Sequence, residues 1–301
     1  MNFLQKISIP TWKLEKGVSL KNVDIFYQTF GLPLHNDTPV ILVNHTLTGN
    51  SNVPEWWNEV IGDHKAIDTQ KYSIIAFNIP GNGYEENPKF FSNYTDFRAR
   101  DVAALFWEAL KILSINQLYA VIGGSLGGGI AWEMAALHPT GIKNLIPIAT
   151  DYRSSDWVIA NALIQDEILN HSSDPVEDAR LHAMLLYRTP LSLKYKFQRQ
   201  TTSDQQQFQV ENWLRNHGEK LKARFSLPTY KLMNQLLRTI DITHERGNFV
   251  EVAKNIKSDI HIVSVDTDGL FTRQDNMEAF ETLKPYKANT YYNEIKSIHG
   301  H

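Results

Sequence analysis

The 301-residue sequence contains no cysteine. Disulfides, thiolate zinc sites and cysteine nucleophiles are therefore excluded. No stretch approaches the ~18 consecutive apolar residues that would span a bilayer, and the start, MNFLQKISIP, lacks the apolar core of a secretory signal. These absences favour a soluble cytoplasmic protein.

A strong charge of either sign is also missing. The formal net charge is −3, which gives no electrostatic reason to expect nucleic acid or an anionic membrane as a partner. Hydrophobic residues make up 42% of the chain, enough for a large core. The length corresponds to one large domain or two small ones.

Short apolar runs separated by helical patterns indicate the fold class. The segment DFRARDVAALFWEALKIL (96–113) has helical spacing, and GIAWEMAALHP (129–139) ends at a proline that cannot continue a helix. Strands that alternate with helices predict an α/β fold, with a mostly parallel sheet covered by helices on both faces. The predicted strands are PVILVNH (39–45), YSIIAFN (72–78), LYAVIGG (118–124), NLIPIAT (144–150), IHIVSVD (260–266) and a weaker NTYYNEI (289–295).

The pattern changes in the middle of the chain. The pattern of residues 151–245, rich in polar and aromatic side chains, predicts successive helices and no convincing strand. We therefore predict a helical lid insertion there, between a first core segment (1–150) and a second (246–301). Within the insertion, the basic stretch HGEKLKARF (217–225) is predicted to be a solvated helix face.

One motif carries a specific chemistry. Gly123-Gly124-Ser125-Leu126-Gly127 follows an apolar strand and precedes a helix, the context of the G-x-S-x-G nucleophile elbow. Small residues on both sides of the serine allow a sharp turn that raises its hydroxyl above the sheet edge. The alternative is a glycine-rich turn that only packs closely or binds a phosphate.

A serine nucleophile needs a histidine base and an acid to orient it. In this fold the acid and then the histidine follow the serine, on loops after later strands. Asp266 and Asp268 follow one predicted strand, and His299 and His301 follow the next. The alternatives are a helix-capping aspartate and solvated histidines, and the remaining nine histidines are given such structural roles.

An oxyanion hole completes such a site. One donor is expected to be the backbone N–H of Leu126, directly after the nucleophile. The second is expected from the loop Thr46-Leu47-Thr48-Gly49, after an early strand.

Several segments together resemble one family. These are His45-Thr46-Leu47-Thr48-Gly49 (similar to H-x-L-T-G), WNEVIGDHKAIDT (57–69), GGSLGG (123–128, similar to G-G-S-[ML]-G-G) and Asp268-Gly269-Leu270-Phe271 (similar to D-x-L-[FY]). They resemble the homoserine O-acetyltransferases of the α/β-hydrolase superfamily. The resemblance implies Ser125 as nucleophile, Leu47 as an oxyanion donor and Asp268 as the catalytic acid. Gly300-His301 matches the start of the closing G-H-D-A-F-L, which implies His301 as base and a chain cut short.

The resemblance extends into the helical insertion. Residues 178–188 are similar to the family segment A-R-x-x-x-x-x-x-Y-R, which implies that Arg180 binds the substrate carboxylate and that Tyr187 lines the same pocket. Seven positions separate them, so two helical turns bring both to one face. The alternative is a surface arginine paired with an acid such as Glu177.

The resemblance implies acyl transfer from acetyl-CoA to homoserine, in methionine biosynthesis, by a ping-pong mechanism without a metal. Acetyl-CoA would be a co-substrate, no further cofactor is expected, and dimerisation through the insertion is implied. Three alternatives remain: an esterase or thioesterase with the same triad, a transferase using succinyl-CoA or serine, and a binding protein with an inactive site.

Overall fold

A central sheet of eight strands organises the chain in a computed structural model, which describes residues 3–35, 37–85, 88–91, 93–203 and 206–301. Its strands in chain order are β1 (Gln5–Lys13), β2 (Ser19–Gly31), β3 (Val40–Asn44), β6 (Ser73–Phe77), β7 (Leu118–Gly124), β8 (Ile142–Ile148), β9 (Asp259–Val265) and β10 (Thr290–Ile295). Two short strands, β4 (Ile61–Gly62) and β5 (Ile67–Asp68), pair separately.

The strand order is β1-β2-β6-β3-β7-β8-β9-β10. The six strands from β6 to β10 are mutually parallel, and β2 joins them antiparallel through β6. Every residue of β3 and β6 is buried, as expected for central strands covered on both faces. The predicted α/β class, with a mostly parallel sheet, is confirmed.

The antiparallel hairpin of β1 and β2 was not predicted from the sequence. In β1 only Ile7 and Ile9 are buried, and polar or exposed residues alternate with them. They pair with Ile25 and Val23 of β2. This edge has one buried face, so it lacks the continuous apolar run by which the central strands were identified.

Helices cover the sheet and form a separate layer. The helices are α1 (Val53–Trp56), α2 (Ala99–Ile112), α3 (Leu126–Leu137), α4 (Asp156–His171), α5 (Pro175–Leu186), α6 (Pro190–Phe197), α7 (Gln209–Lys222), α8 (Leu227–Arg238), α9 (Phe249–Ala253) and α10 (Arg273–Leu283). Helices α4–α8 lie between β8 and β9 in sequence, and we call them the lid. Within it, α5 packs against α4 and α7, and α4 packs against α8. In the described part of the chain, no helix has both the length and the apolar character to cross a membrane.

The lid leaves and rejoins the core at one place. The N–H of Ser154, before α4, donates to the Ile240 carbonyl at 2.9 Å, and the N–H of Ile242 donates to the Tyr152 carbonyl at 3.1 Å. These bonds join the two connecting segments just beyond the carboxyl end of β8. The lid is therefore attached at the carboxyl ends of the parallel strands, where ligands bind in open α/β sheets.

Candidate active site

Ser125 occupies a strained turn between β7 and α3. Its φ of 53° and ψ of −125° are unusual for a residue with a side chain, and its N–H donates to the Ile148 carbonyl at 2.9 Å. The turn requires glycine neighbours: a Cβ on Gly123 would lie 2.3 Å from the Gly127 carbonyl, and one on Gly127 would lie 2.5 Å from the Asn44 carbonyl oxygen. The elbow predicted from the motif therefore has the close packing that excludes larger side chains.

Three side chains from separate loops form a hydrogen-bonded chain. His301 Nε2 lies 2.9 Å from Ser125 Oγ, and His301 Nδ1 lies 2.7 Å from Asp268 Oδ2. Because a carboxylate only accepts, Nδ1 carries the ring proton, and Nε2 is free to accept the serine proton. The side chain of Asp268 is wholly buried and that of His301 is 10% exposed. This is the arrangement of a nucleophile, a general base and an orienting acid. We call Ser125, His301 and Asp268 the triad.

The two candidate acids, Asp266 and Asp268, have different hydrogen-bond partners. The second oxygen of Asp268, Oδ1, accepts the N–H groups of Leu270 and Phe271 at 2.8 and 3.0 Å, which fixes the carboxylate towards His301. Asp266 instead accepts the N–H of Ser297 at 2.9 Å and so supports the loop that carries the histidine. Asp268 is therefore brought to the histidine, and Asp266 is not.

The two candidate histidines also have different hydrogen-bond partners. His299 hydrogen-bonds through Nδ1 with Ser192 Oγ of α6, at 3.0 Å, and takes no part in the Ser125 chain. His301 is held by its neighbour: the Gly300 N–H donates to Thr267 Oγ1 at 3.2 Å, and a Cβ on Gly300 would lie 2.8 Å from the Tyr187 carbonyl oxygen. The loop before His301 is therefore packed between the acid loop and the lid.

The loop expected to supply an oxyanion donor lies beside the elbow. The Gly49 N–H donates to the Thr46 carbonyl at 3.0 Å, which closes the tight return that was predicted. The Thr46 methyl group lies 3.5 Å from the Cβ position of Gly124. Leu47 and Leu126 are both buried, and their roles as oxyanion donors stay predictions.

His45 holds this loop through two hydrogen bonds. Its Nδ1–H donates to the Thr46 carbonyl at 2.7 Å, and its Nε2 accepts the N–H of Ile79 at 3.0 Å. Burial lowers the pKa of His45 to about 4, so the ring is neutral at pH 7 and keeps one donor and one acceptor. From the lid, Arg224 Nη1 donates to the Thr48 carbonyl at 3.0 Å. These two contacts were not predicted from the sequence, because they join segments far apart in the chain.

The lid places Arg180 and Tyr187 close to the triad. The Tyr187 ring centre lies 5.4 Å from that of His301, and the Arg180 guanidinium lies 5.7 Å from the Tyr187 ring centre. Arg180 Nε is buried and has no hydrogen-bond partner in the described residues. Glu177, the alternative partner, contacts Lys222 instead, at 3.7 Å. Arg180 thus has a buried donor available for an anion on the side of Tyr187 that leads to His301.

Potential metal ligands lie elsewhere. Within the described ranges, one group of three such side chains has its ligand atoms close together, formed by Glu15, His244 and Glu245. It contains none of the triad residues.

Residues 39–297 match the α/β hydrolase fold family. The homoserine O-acetyltransferase of Carboxydothermus hydrogenoformans is 30% identical, over 99% of this chain and 89% of that protein. The homoserine O-acetyltransferase of Cyclobacterium marinum is also 30% identical, over 96% and 87%.

Solved structures of low sequence identity share the fold. A homoserine O-acetyltransferase from Bacillus anthracis superposes with a TM-score of 0.86 at 21% identity, over 99% of this chain and 92% of that one. Esterase E22 superposes with a TM-score of 0.88 at 19% identity, over 100% and 95%. Transferases and esterases are thus both built on this fold, so the fold alone does not separate the two activities.

Proposed function

The chain belongs to the homoserine O-acetyltransferase family of α/β hydrolases, and from this membership we propose that it transfers an acyl group, acetyl in the first place, from coenzyme A to the hydroxyl of homoserine. One observation carries the proposal. The ring of Tyr187 contacts both His301 of the Ser125–His301–Asp268 chain and Arg180, whose buried Nε has no partner in the described residues. A nucleophile therefore adjoins a group suited to an amino-acid carboxylate.

The first half-reaction acylates the serine. Ser125 Oγ attacks the thioester carbonyl while its proton passes to His301 Nε2, and Asp268 stabilises the resulting imidazolium. The N–H groups of Leu47 and Leu126 are expected to bind the oxyanion, where one donor contributes ~3 kcal/mol. The carbon–sulfur bond then breaks, the CoA sulfur takes the proton from Nε2, and an acyl-enzyme remains.

The second half-reaction uses the same groups in reverse. Homoserine binds with its carboxylate on Arg180, next to Tyr187, and His301 Nε2 accepts the proton of its hydroxyl. The hydroxyl oxygen attacks the acyl carbonyl, and the proton returns to Ser125 Oγ as the new ester leaves. Transfer must outrun hydrolysis, so we assign to the lid the exclusion of water from the acyl-enzyme.

The main alternative is a hydrolase that uses water as the acceptor. The triad is the same in both cases, but Arg180 has no role in the hydrolysis of a simple ester. In a transferase, free homoserine should accelerate CoA release from acetyl-CoA well above the rate in its absence. Parallel reactions with succinyl-CoA and with serine identify the donor and the acceptor.

Arg180→Ala should raise the half-saturating homoserine concentration roughly ten- to a hundredfold, because a hydrogen bond to a charged group contributes ~1.5–3 kcal/mol. Acylation of Ser125 by acetyl-CoA should change little, since it precedes homoserine binding. Arg180→Lys should recover part of the loss, because an ammonium lacks the planar fork of a guanidinium. The measurement is the steady-state rate of CoA release at varied homoserine.

The opposite pattern would contradict this assignment. Slow acylation with unchanged homoserine dependence would place Arg180 on the CoA side of the site. Failure of homoserine to accelerate CoA release in the unmutated protein would favour the esterase. Arg238→Ala is the control. It removes one positive charge, as Arg180→Ala does, but from a different helix, at the end of α8.

We also infer a role in methionine biosynthesis in the cytoplasm, and a homodimer formed through the lid. Exposed apolar side chains on α4 support the dimer: Ile159 and Leu163 are four positions apart, which places them on one face, and Leu163 is 50% exposed. A second copy of the same helix would bury this face by two-fold symmetry.

Leu163→Asp should shift the protein from dimer to monomer in sedimentation velocity, because a charge in the centre of an apolar interface is left without a partner. Ile112→Asp is the control, since Ile112 is also 50% exposed but lies at the end of α2, outside the lid. A monomeric unmutated protein, or equal effects of both substitutions, would contradict the proposed interface.

A further inference from the structure

Positive charges lie near His217 on α7. Lys220 is three positions further along the same helix, and Lys196 lies over the ring of Trp213, which contacts that of His217. Arg188 is close enough for its charge to act on His217. We call Arg188, Lys196 and Lys220 the lid basic cluster. Burial lowers the pKa of His217, and the positive charges of Arg180 and of the cluster lower it further. Among the residues that the structure describes, no carboxylate lies within ion-pair distance of any cluster member. The cluster is therefore a region of positive charge without compensation.

Acidic residues are present nearby but pair elsewhere. Lys222, two positions after Lys220, contacts both Asp174 and Glu177. The lid therefore neutralises one lysine at the end of α7 and leaves its neighbour without an acid. Cations without an acidic partner attract anions, so such a cluster is favourable where an anion binds.

Aromatic side chains hold Lys196 in place. Its Nζ lies 4.9 Å from the Trp213 ring centre and 5.5 Å from that of Phe197. Trp213 in turn contacts His217 edge-on, with ring centres 4.6 Å apart. Cation–π contacts fix the ammonium group over the ring faces without neutralising its charge. Lys196 is thus positioned to donate hydrogen bonds to an anion.

Contacts within the lid link the triad to the cluster. His301 contacts Tyr187, and the Arg180 guanidinium, over the Tyr187 ring, acts with its positive charge on His217. The carbonyl carbon of Arg188 lies 3.5 Å from the point where a Cβ on Gly300, the residue before His301, would be. From His217, α7 runs back by one turn, about 6 Å, to Trp213, where Lys196 is held. A ligand whose reactive end is at Ser125 could therefore reach the cluster with its other end.

We propose that the lid basic cluster binds the phosphate groups of the acyl donor, at the nucleotide end of coenzyme A. The inference rests on the proposed function. A CoA thioester carries its phosphates at the far end of an uncharged arm, so a complementary site needs cations away from the nucleophile. Homoserine has one carboxylate, which Arg180 is placed to bind, and leaves no role for three more cations. The stretch around Lys220, predicted to be a solvated face, would thus be part of the donor site.

The test compares acetyl-CoA with S-acetylpantetheine, which has the same reactive end and no phosphate. In the double variant Lys196→Ala/Lys220→Ala, the half-saturating acetyl-CoA concentration for Ser125 acylation should rise about tenfold. The value for S-acetylpantetheine should stay unchanged. The control Lys194→Ala/Lys254→Ala changes the net charge equally: Lys194 lies in α6 and Lys254 follows α9. It should match the unmutated protein with both donors.

Calorimetry with free CoA and free pantetheine, on the Ser125→Ala protein, tests the same site without turnover. Adding Lys196→Ala/Lys220→Ala should weaken CoA about tenfold and leave pantetheine unchanged. Equal losses for both ligands, or no loss for CoA, would overturn the inference. Cluster-dependent CoA binding in a protein whose Ser125 is never acylated would uphold the inference and refute the proposed function.

Discussion

Ser125→Ala should abolish the acyl-enzyme. Without the hydroxyl, no covalent intermediate can form, and loss of the serine in a protease with the same triad costs about six orders of magnitude in turnover. The fold should persist, because the substitution removes one oxygen from a residue that is 8% exposed and leaves the backbone turn unchanged. Intact-protein mass spectrometry after brief exposure to acetyl-CoA should show an added acetyl group only in the unmutated protein.

Ser258→Ala is the matched control. Ser258 is also a buried serine, but its hydroxyl donates to the Ile142 carbonyl at 2.7 Å, away from the triad. This variant should acquire the acetyl group as the unmutated protein does. An adduct that persists in Ser125→Ala would show that another residue is the nucleophile.

The central strands were predictable because they are buried on both faces. Runs such as VILVN and SIIAF, which form β3 and β6, contain almost no polar residue and are bounded by polar or turn residues. The hairpin β1–β2 was not predicted, because an edge with one buried face spreads few apolar residues among many polar ones. The sequence therefore reveals the covered centre of such a sheet more readily than its edge.

The site was predictable only in part. The elbow at Ser125 is local, so its sequence context indicates its geometry. The choice between Asp266 and Asp268 is not local, since both follow β9, and it required a family resemblance. The lid basic cluster was not predicted, because its members come from different parts of the lid and meet only in the tertiary structure.

Asp268→Asn should lower turnover by about four orders of magnitude, the cost of the same change in the protease triad. The geometry gives the reason. Oδ1 accepts two backbone N–H groups, from Leu270 and Phe271, so the carbonyl oxygen of the new amide would take that position. Its NH2 group would then face His301 Nδ1 and require that nitrogen to be an acceptor. The ring proton would move to Nε2, which could no longer accept the proton of Ser125.

Asp266→Asn separates this effect from a general disturbance of the loop. Its amide oxygen can still accept the Ser297 N–H, and the lost charge pairs with Lys296, 3.9 Å away and exposed. Such surface pairs contribute about 0–1 kcal/mol, so turnover should fall by less than about fivefold. CoA release at saturating substrates is the measurement, with melting temperatures to show that both variants are folded. Equal losses would mean that Asp268 acts by supporting the loop; a larger loss in Asp266→Asn would move the acid by two residues. A loss confined to Asp268→Asn requires the acid to act through the histidine, because the two variants lose the same charge from the same loop.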